Sequence, residues 1–275
     1  MLTRQQIAFY DEQGYLHIPD MFTAQEVADL QRDLDWMIET WAERSPGWSG
    51  PWRQAYMDDQ TASRSELISM HDLYFYAESW MHAVTKPALC DAMADLLDGG
   101  VELHHSTMHV KPPETGHPFP MHQDWAFYQH CDGRYVDVLV HLDQTRHANG
   151  EIRFLAGSHK QGPLKHVTEF PDGTACTPHL PTDQWKLDGT VAVPARAGDV
   201  VCFNIHTVHG SHINQTDEYR RMVRIGYRHP DNVQTDGQSM GRPGLMLRGQ
   251  RKRGDGQTLY SITGPEVAVA ELRPG

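Results

Sequence analysis

The sequence offers little to hold a protein in a membrane, on a nucleic acid or in an oxidising compartment. Cysteine is scarce: Cys90, Cys131, Cys176 and Cys202 stand far apart, with neither a CxxC pair nor the density of a disulfide scaffold, and read as reduced thiols. Long apolar runs are missing too, since none approaches the ~20 residues that a spanning helix needs. The opening MLTRQQIAFYDEQGYLHIP has no basic start, apolar middle or small-residue cleavage site, so a cytoplasmic protein is the expectation. Positive charge is in deficit, with 24 Lys and Arg against 36 Asp and Glu and a formal charge of -12. That balance argues against nucleic acid or an anionic membrane as partner, and for a small-molecule substrate.

What is present is ordinary globular material, 39% hydrophobic and 22% charged over 275 residues, enough for a sizeable core in one large domain or two small ones. The organisation expected is a single domain over residues 1–275, mainly helical to about residue 100, β-rich from 101 to 230, with a tail from 231 to 275. A helix capped by Thr3 and stopped by Gly14 leads into a short strand through Tyr15, Leu16 and Ile18. Thr23 and Glu26 form a capping box for a second helix, whose Val27, Leu30, Leu34, Met37 and Ile38 recur at helical spacing to about Trp41. Residues 42 to 80 are rich in Gly, Pro, Trp and Tyr without a clean period. They read as a loop with short helical pieces that either lids a pocket or seals one end of the core. TKPALCDAMADLLDGG predicts a further helix, with Pro87 near its start and Gly99 past its end. Beyond residue 100 come short runs rich in Val, Ile, Thr and aromatics: VELHHSTMHV, YVDVLVHL, EIRFLAG, GTVAVPA, GDVVCFNIH and RRMVRIGYR. They predict an antiparallel β body of two sheets or a barrel, while the tail, with its basic LRGQRKRGDGQ, reads as irregular.

Two stretches carry chemistry. In MHQDWAFYQH, His122 and Asp124 stand two apart, and in a strand that spacing points both to one face. An imidazole and a carboxylate so placed suit an iron(II) ion that takes two histidines and one carboxylate on one face of an octahedron and keeps its other positions open. Alone the pair is weak, because 18 histidines make a chance His-x-Asp easy, and a surface or core pair is the default. The second stretch, GDVVCFNIHTVHGSHINQTDEYRRMVRIGYR, brings a histidine to one strand end and an arginine to the start of the next strand, where both can face one cavity. A guanidinium fork there binds a carboxylate through two parallel hydrogen bonds, which suits an acid co-substrate anchored away from the metal. Spacing leaves His206 and His209 both open as the third ligand. Arg221 falls on the opposite strand face from Arg220, alongside Val223, Ile225 and Tyr227. His104, His105, His109, His117, His141, His159 and His212 carry no spacing argument, and a hydrogen-bonded or exposed histidine is the default for each.

HQD followed far downstream by HGSxxNxxxxxR resembles the phytanoyl-CoA dioxygenase family of iron(II)- and 2-oxoglutarate-dependent oxygenases. STMHVKPP, ANGEIRFLAGSHK and the QQIAFYDEQGYLHIP opening support the likeness, which runs through most of the chain and weakens over residues 42 to 80 and after about 230. The fold expected is α+β with a mainly β core, and the resemblance implies a double-stranded β-helix (a jelly-roll or cupin-like barrel) with N-terminal helices packed outside. It also implies His122, Asp124 and His209 as ligands of iron(II), with 2-oxoglutarate and O2 completing the reacting set. Arg220 would then pair with the distal carboxylate of 2-oxoglutarate, Ser211 would donate its hydroxyl to the same carboxylate, and Met108 matches a position that packs near the co-substrate. The HGS match favours His209 over His206, which becomes a core residue. Where the family often has a Trp before the NG turn, this chain has Leu139. Related halogenases lack the motif's carboxylate, so Asp124 implies hydroxylation rather than halogenation.

The activity implied is hydroxylation of an unactivated C–H bond in a small organic molecule, with 2-oxoglutarate decarboxylated to succinate. Desaturation, epoxidation or ring formation would use the same ligands, and a non-catalytic metal-binding β-barrel module is the alternative from another class. Trp125, Phe127 and Tyr128 follow the motif as either pocket wall or core packing. Arg224 shares a strand face with Arg220, and either meets an acidic group on the substrate or belongs to an ion pair. Trp48, Trp52, Tyr56, Tyr74 and Tyr76 suggest a lid or an aromatic cage for a cation. No stretch marks a coenzyme A site.

Overall fold

The helical half follows its capping signals closely. In the computed structural model, which describes residues 1–242 and 244–251, helix α1 (Arg4–Gln13) is capped by the Thr3 side chain and closed by Gly14 in the left-handed region. Strand β1 (Tyr15–Ile18) follows. Helix α2 (Ala24–Thr40) then begins on the Thr23–Glu26 capping box and buries Val27, Leu30, Leu34 and Met37. Residues 42–80 are more regular than their composition predicts. Strand β2 (Glu43–Ser45), helices α3 (Arg53–Tyr56) and α4 (Asp59–Arg64), strand β3 (Leu67–His71) and the start of helix α5 (Glu78–Val84) occupy the expected loop. The cause is tertiary: β3 gains its ladder from residues 107–110, so Leu67 and Ile68 are buried without any alternation in their own short run to announce it. Helix α6 (Pro87–Leu96) completes this half, with Pro87 in its first turn.

The remaining strands are β4 (Val101–Val110), β5 (Phe119–His122), β6 (Tyr128–His130), β7 (Tyr135–His141), β8 (Ile152–Phe154), β9 (Val167–Glu169), β10 (Ala175–His179), β11 (Val191–Val193), β12 (Val200–Asn204), β13 (His209–Ser211), β14 (Met222–Arg228), β15 (Gln234–Gly237) and β16 (Leu245–Arg248). An eight-stranded sheet runs in the order β1-β12-β7-β14-β4-β3-β2, with β16 also on β4, and a four-stranded sheet runs β11-β8-β13-β5. Their ladders are antiparallel. The tail departs from the irregular segment expected, because β15 pairs with β6 and β16 with β4. The rest of the basic stretch, from Lys252, lies outside the described residues. Among the described residues no helix is long and apolar enough to cross a membrane.

Alternation along the strands assigns the two faces of the large sheet. Met108, Val110, Val138, Val140, Val223 and Ile225 pack against Leu30, Leu34, Met37, Trp80, Leu89 and Met93 of the helices in the main core, each fully buried side chain contributing about 1.5–3 kcal/mol. Leu139, Met222, Arg224 and His109, one residue away in each strand, line a cavity on the opposite face. Met108 therefore does not pack near a co-substrate as the sequence led us to expect. A single-residue step along a strand reverses the face, and it is Thr107 and His109 that turn toward the cavity side, where Thr107 Oγ1 accepts from Arg224 at 3.3 Å. Met108→Ala should accordingly cost about 2–5 kcal/mol of stability in urea unfolding and leave 2-oxoglutarate affinity unaltered. A loss of affinity without a loss of stability would reverse the placement.

Candidate active site

The four-stranded sheet brings two imidazoles together. His209 and His122 are Cα partners in the β13–β5 ladder, and their ring centroids lie 4.1 Å apart. Asp124 reaches them by a route the sequence did not indicate. His122 ends its strand and Asp124 opens a single 3-10 turn over Asp124–Ala126, so the turn, and not strand alternation, swings the carboxylate round. Asp124 Oδ1 lies 3.3 Å from His122 Nε2 and 3.6 Å from His209 Nε2. All three residues are buried, with ligand atoms within 4.8 Å of one another, close enough to share one ion. His206 stands apart with its ring against Trp125, which leaves His209 as the histidine of the set.

The surroundings fix which atoms face the shared point. His122 Nδ1 lies 2.7 Å from the Pro120 carbonyl and His209 Nδ1 lies 2.9 Å from that of Thr207. A carbonyl only accepts, so each Nδ1 carries the hydrogen and each Nε2 keeps its lone pair for a metal. Burial and the neighbouring His122 push the His209 pKa down to about 3, leaving the imidazole neutral. Burial acts to raise the pKa of Asp124, but Arg224 and the two histidines outweigh it and hold the carboxyl well below the usual range. Asp124 Oδ2 is buried without a hydrogen-bond partner, a cost that a ligated cation removes. Two imidazoles and one carboxylate, with a carboxylate oxygen that makes no hydrogen bond among the described residues, fit a divalent metal.

Gln123, between the ligands, is a clamp that the sequence did not reveal. Its side chain donates to the carbonyls of Gly162 and His206 and accepts from Leu164 N, while its own N–H donates to His166 Nε2. Arg224 is also placed differently from a substrate anchor. Its Nη1 donates to Asp137 Oδ1 at 2.7 Å and to Tyr128 Oη and lies 3.7 Å from Asp124 Oδ2, and its Nη2 reaches His105 Nε2 at 2.9 Å. The guanidinium is occupied in steering the Asp124 carboxylate. Trp125 and Phe127 both pack against a cluster of Tyr128, Tyr135 and Ile205, and neither lines the cavity; Trp125 donates to the His130 carbonyl, and the Phe127 ring stands 5.8 Å from that of His122. Of the five aromatic residues read as a lid or cage, Trp48 alone lines the cavity among the described residues. Trp52 packs on Tyr56 and His117, Tyr74 bonds Asp72, and Tyr76 leans on Trp41, so no cage forms.

The same cavity, which holds about 30 Å³ of free space, is lined also by Arg220, Ser211 and Leu139. Arg220 is buried; its Nε has no partner, and Nη1 meets only the Met222 sulfur at 3.3 Å. Burial lowers its pKa to about 10. Directly across the ladder sits Lys111, the two residues exchanging backbone hydrogen bonds of 3.0 Å each way. The Lys111 ammonium is buried too, donating to Ser211 Oγ at 2.8 Å and to the His212 carbonyl. Asp143, the acidic group nearest in effect to Arg220, is already engaged by Arg221 at 2.7 Å. Burial and the neighbouring Arg220 push the Lys111 pKa well below that of an ordinary lysine, and a carboxylate bound beside them would favour its charged form. The sequence signal for Lys111 was alternation, since it follows Thr107 and His109 at steps of two.

Comparison with known proteins gives three findings. A family model described as phytanoyl-CoA dioxygenase matches residues 10–222. A probable alpha-ketoglutarate-dependent hypophosphite dioxygenase from Stutzerimonas stutzeri is 30% identical over 82% of this chain and 78% of its own length, and an ectoine dioxygenase from S. stutzeri strain A1501 is 26% identical over 82% and 76%. Among solved structures, the carbocyclase SnoK from nogalamycin biosynthesis superposes with a TM-score of 0.70 at 23% identity, covering 90% of this chain and 94% of its own. EctD from S. alaskensis, with 2-oxoglutarate and 5-hydroxyectoine, gives 0.63 at 23% identity, covering 92% and 86%. These two likenesses show the fold.

The site's neutral histidines make the fold acid-sensitive. Burial pushes the pKa of His141, both of whose ring nitrogens lack partners, down to about 3, and those of His166 and His206 to about 4. The unfolded chain, with ordinary histidines, takes up protons first as the pH falls. The stability is therefore complete above about pH 6.5 and lost progressively toward about pH 4, by roughly 1.4 kcal/mol per pH unit for each such proton. Urea unfolding of the metal-free protein across that range should show this slope, reduced by about one proton in His141→Phe; a flat wild-type profile would mean these rings are not held neutral.

Proposed function

The chain belongs to the phytanoyl-CoA dioxygenase family, and on that premise we propose that it is an iron(II)- and 2-oxoglutarate-dependent dioxygenase that hydroxylates an unactivated C–H bond of a small organic molecule. The observation that carries this reading is that one cavity is lined by His122, Asp124 and His209 and also by Arg220 and Ser211, with Lys111 hydrogen-bonded to Ser211 Oγ. The three ligands hold the iron, and Arg220 and Ser211 take the distal carboxylate of 2-oxoglutarate. Two antiparallel sheets contributing to one cavity support a double-stranded β-helix with the helices outside, the chain acting as a single oxygenase domain. Four free cysteines support a cytoplasmic enzyme.

Bound iron(II) and 2-oxoglutarate supply the chemistry, consuming O2, releasing carbon dioxide and succinate, and delivering one oxygen atom to the substrate carbon. The chain's residues supply position. Pro120 and Thr207 keep the ligand imidazoles in one tautomer, and Arg224, braced on Asp137, keeps Asp124 ionised and oriented. Lys111 donates to Ser211 Oγ, which leaves the serine's own hydrogen for the co-substrate carboxylate beside the Arg220 fork. The hydrogen lost is then the one the cavity walls hold nearest the iron. Retention of Asp124 supports hydroxylation over halogenation. Relatives are named for hypophosphite, ectoine, L-proline and 2-aminoethylphosphonate, which supports a compact, polar substrate.

Anaerobic addition of iron(II) and 2-oxoglutarate should produce a weak visible charge-transfer band, absent from a non-catalytic module. Asp124→Ala should abolish both the band and succinate release while the fold persists, and undiminished turnover would refute the ligand assignment. Lys111→Met should raise the Kd for 2-oxoglutarate about tenfold, about 1.4 kcal/mol, and Arg220→Met should raise it by roughly thirtyfold or more, the about 2–5 kcal/mol expected when one partner of a buried charged pair is removed. A succinate-release screen of small molecules, followed by mass analysis, identifies the outcome. A gain of one oxygen atom supports hydroxylation, and a loss of two hydrogens moves the reading to desaturation or ring closure.

A further inference from the structure

We propose that Trp48 sets the size of the primary substrate, carried over the metal site on a hinged strap running from Gly47 to Gly50. The inference rests on the metal-site reading above and adds to it a residue from outside both sheets. Trp48 comes from the segment between β2 and α3 and is half-buried. Its ring centroid lies 4.7 Å from that of His122, 4.9 Å from Phe119 and 4.8 Å from Phe127. The indole thus separates the metal ligands from solvent and forms the outer wall of the cavity. With only about 30 Å³ of free space, against roughly 300–1,000 Å³ for small-ligand pockets, the cavity has no room as it stands for both a co-substrate and the molecule to be oxidised, so a wall has to move to admit them. The room beside His122 is what Trp48 leaves.

The strap is built to move as a unit. Gly47 and Gly50 bracket it with φ of 81° and 150°, values that side-chain-bearing residues rarely adopt. A Cβ on Gly47 would meet the His117 ring at 2.4 Å, and one on Gly50 the Trp52 ring at 2.5 Å, so neither position accepts a larger residue. Beyond the indole, hydrogen bonds hold the strap: Trp48 N donates to His117 Nε2 at 3.0 Å, Ser49 N to Thr177 Oγ1 at 3.1 Å, Thr177 N to the Ser49 carbonyl at 3.1 Å, Gly47 N to Ser45 Oγ at 3.2 Å, Arg53 N to the Gly50 carbonyl at 3.3 Å and Arg53 Nη1 to the Trp48 carbonyl at 3.0 Å. Ser49 and Pro51 are exposed. Trp52, buried and donating to the Ser49 carbonyl at 3.2 Å, anchors the far end, so opening is confined to the glycine-bracketed residues. Opening would break these hydrogen bonds and the indole's ring contacts while leaving the ladders of the two sheets intact.

The test reads Trp48 directly. Of the seven tryptophans, Trp48 is the one lining the cavity among the described residues. Iron(II) added anaerobically, with the 2-oxoglutarate charge-transfer band as proof of loading, should quench tryptophan emission in the wild type. Most of that quench should be lost in Trp48→Phe and kept in Trp125→Phe. In a second measurement, 8-hydroxyquinoline, a flat chelator broader than the keto-acid head of 2-oxoglutarate, should bind the iron-loaded Trp48→Ala variant about tenfold more tightly than the wild type. A normal band with equal quenching in Trp48→Phe, or equal quinoline affinities, would overturn the role of Trp48 alone. A wild type with no band would overturn the metal-site reading, and this inference with it.

Discussion

The pairing of β13 with β5 is the constraint on which the rest of the site depends. It sets His209 directly opposite His122, and the bulge that shifts the register before Ser211 lets the strand continue past the ligands with Ser211 on the cavity wall. Side chains alternate with a period of two, so a slip of one residue in this ladder would turn His209 toward the opposite face of the sheet. β8, on the other edge of β13, pairs with it from His209 to Ser211 and makes such a slip costlier. Two short strands, each weak alone, fix one another.

Charge is distributed along the cavity in an order that the chemistry needs. Around the metal site a single carboxylate faces two imidazoles, with Arg224 beside it. Elsewhere on the cavity wall stand the Arg220 guanidinium and the Ser211 hydroxyl, the latter hydrogen-bonded to Lys111. The guanidinium of Arg224 is saturated by Asp137, Tyr128 and His105, while that of Arg220 has a thioether and nothing stronger. The two arginines share one strand face four residues apart, yet one is structural and the other is free to bind, a difference set by what the neighbouring strands β4 and β7 bring against each.

That contrast also marks how much could be read from the sequence. Caps announced α1 and α2 because Thr3, Gly14, Thr23 and Glu26 act locally, and the family resemblance of the HQD and HGS stretches pointed to three residues that the fold brings within 4.8 Å of one another. Arg221 was assigned to the far face by alternation, and its bonds to Asp35 and Asp143 bear this out. Failures came where tertiary pairing decides. β3 owes its existence to β4, β15 and β16 to partners more than a hundred residues earlier, and the Asp124 turn to the backbone of Ile205, whose carbonyl accepts from Trp125 N. Met108 was misplaced by a single residue, which in a strand is the whole width of the sheet. Lys111 escaped notice because a lysine reads as surface until its cross-strand partner is known.

On the proposed function, a dicarboxylic acid held by Arg220 would bind the native chain and find no equivalent site in the unfolded one, so its concentration would enter the folding equilibrium as a term of its own. The abundance of this chain should then track the supply of that acid: in starvation for it the protein is more readily unfolded and degraded, and in plenty it persists.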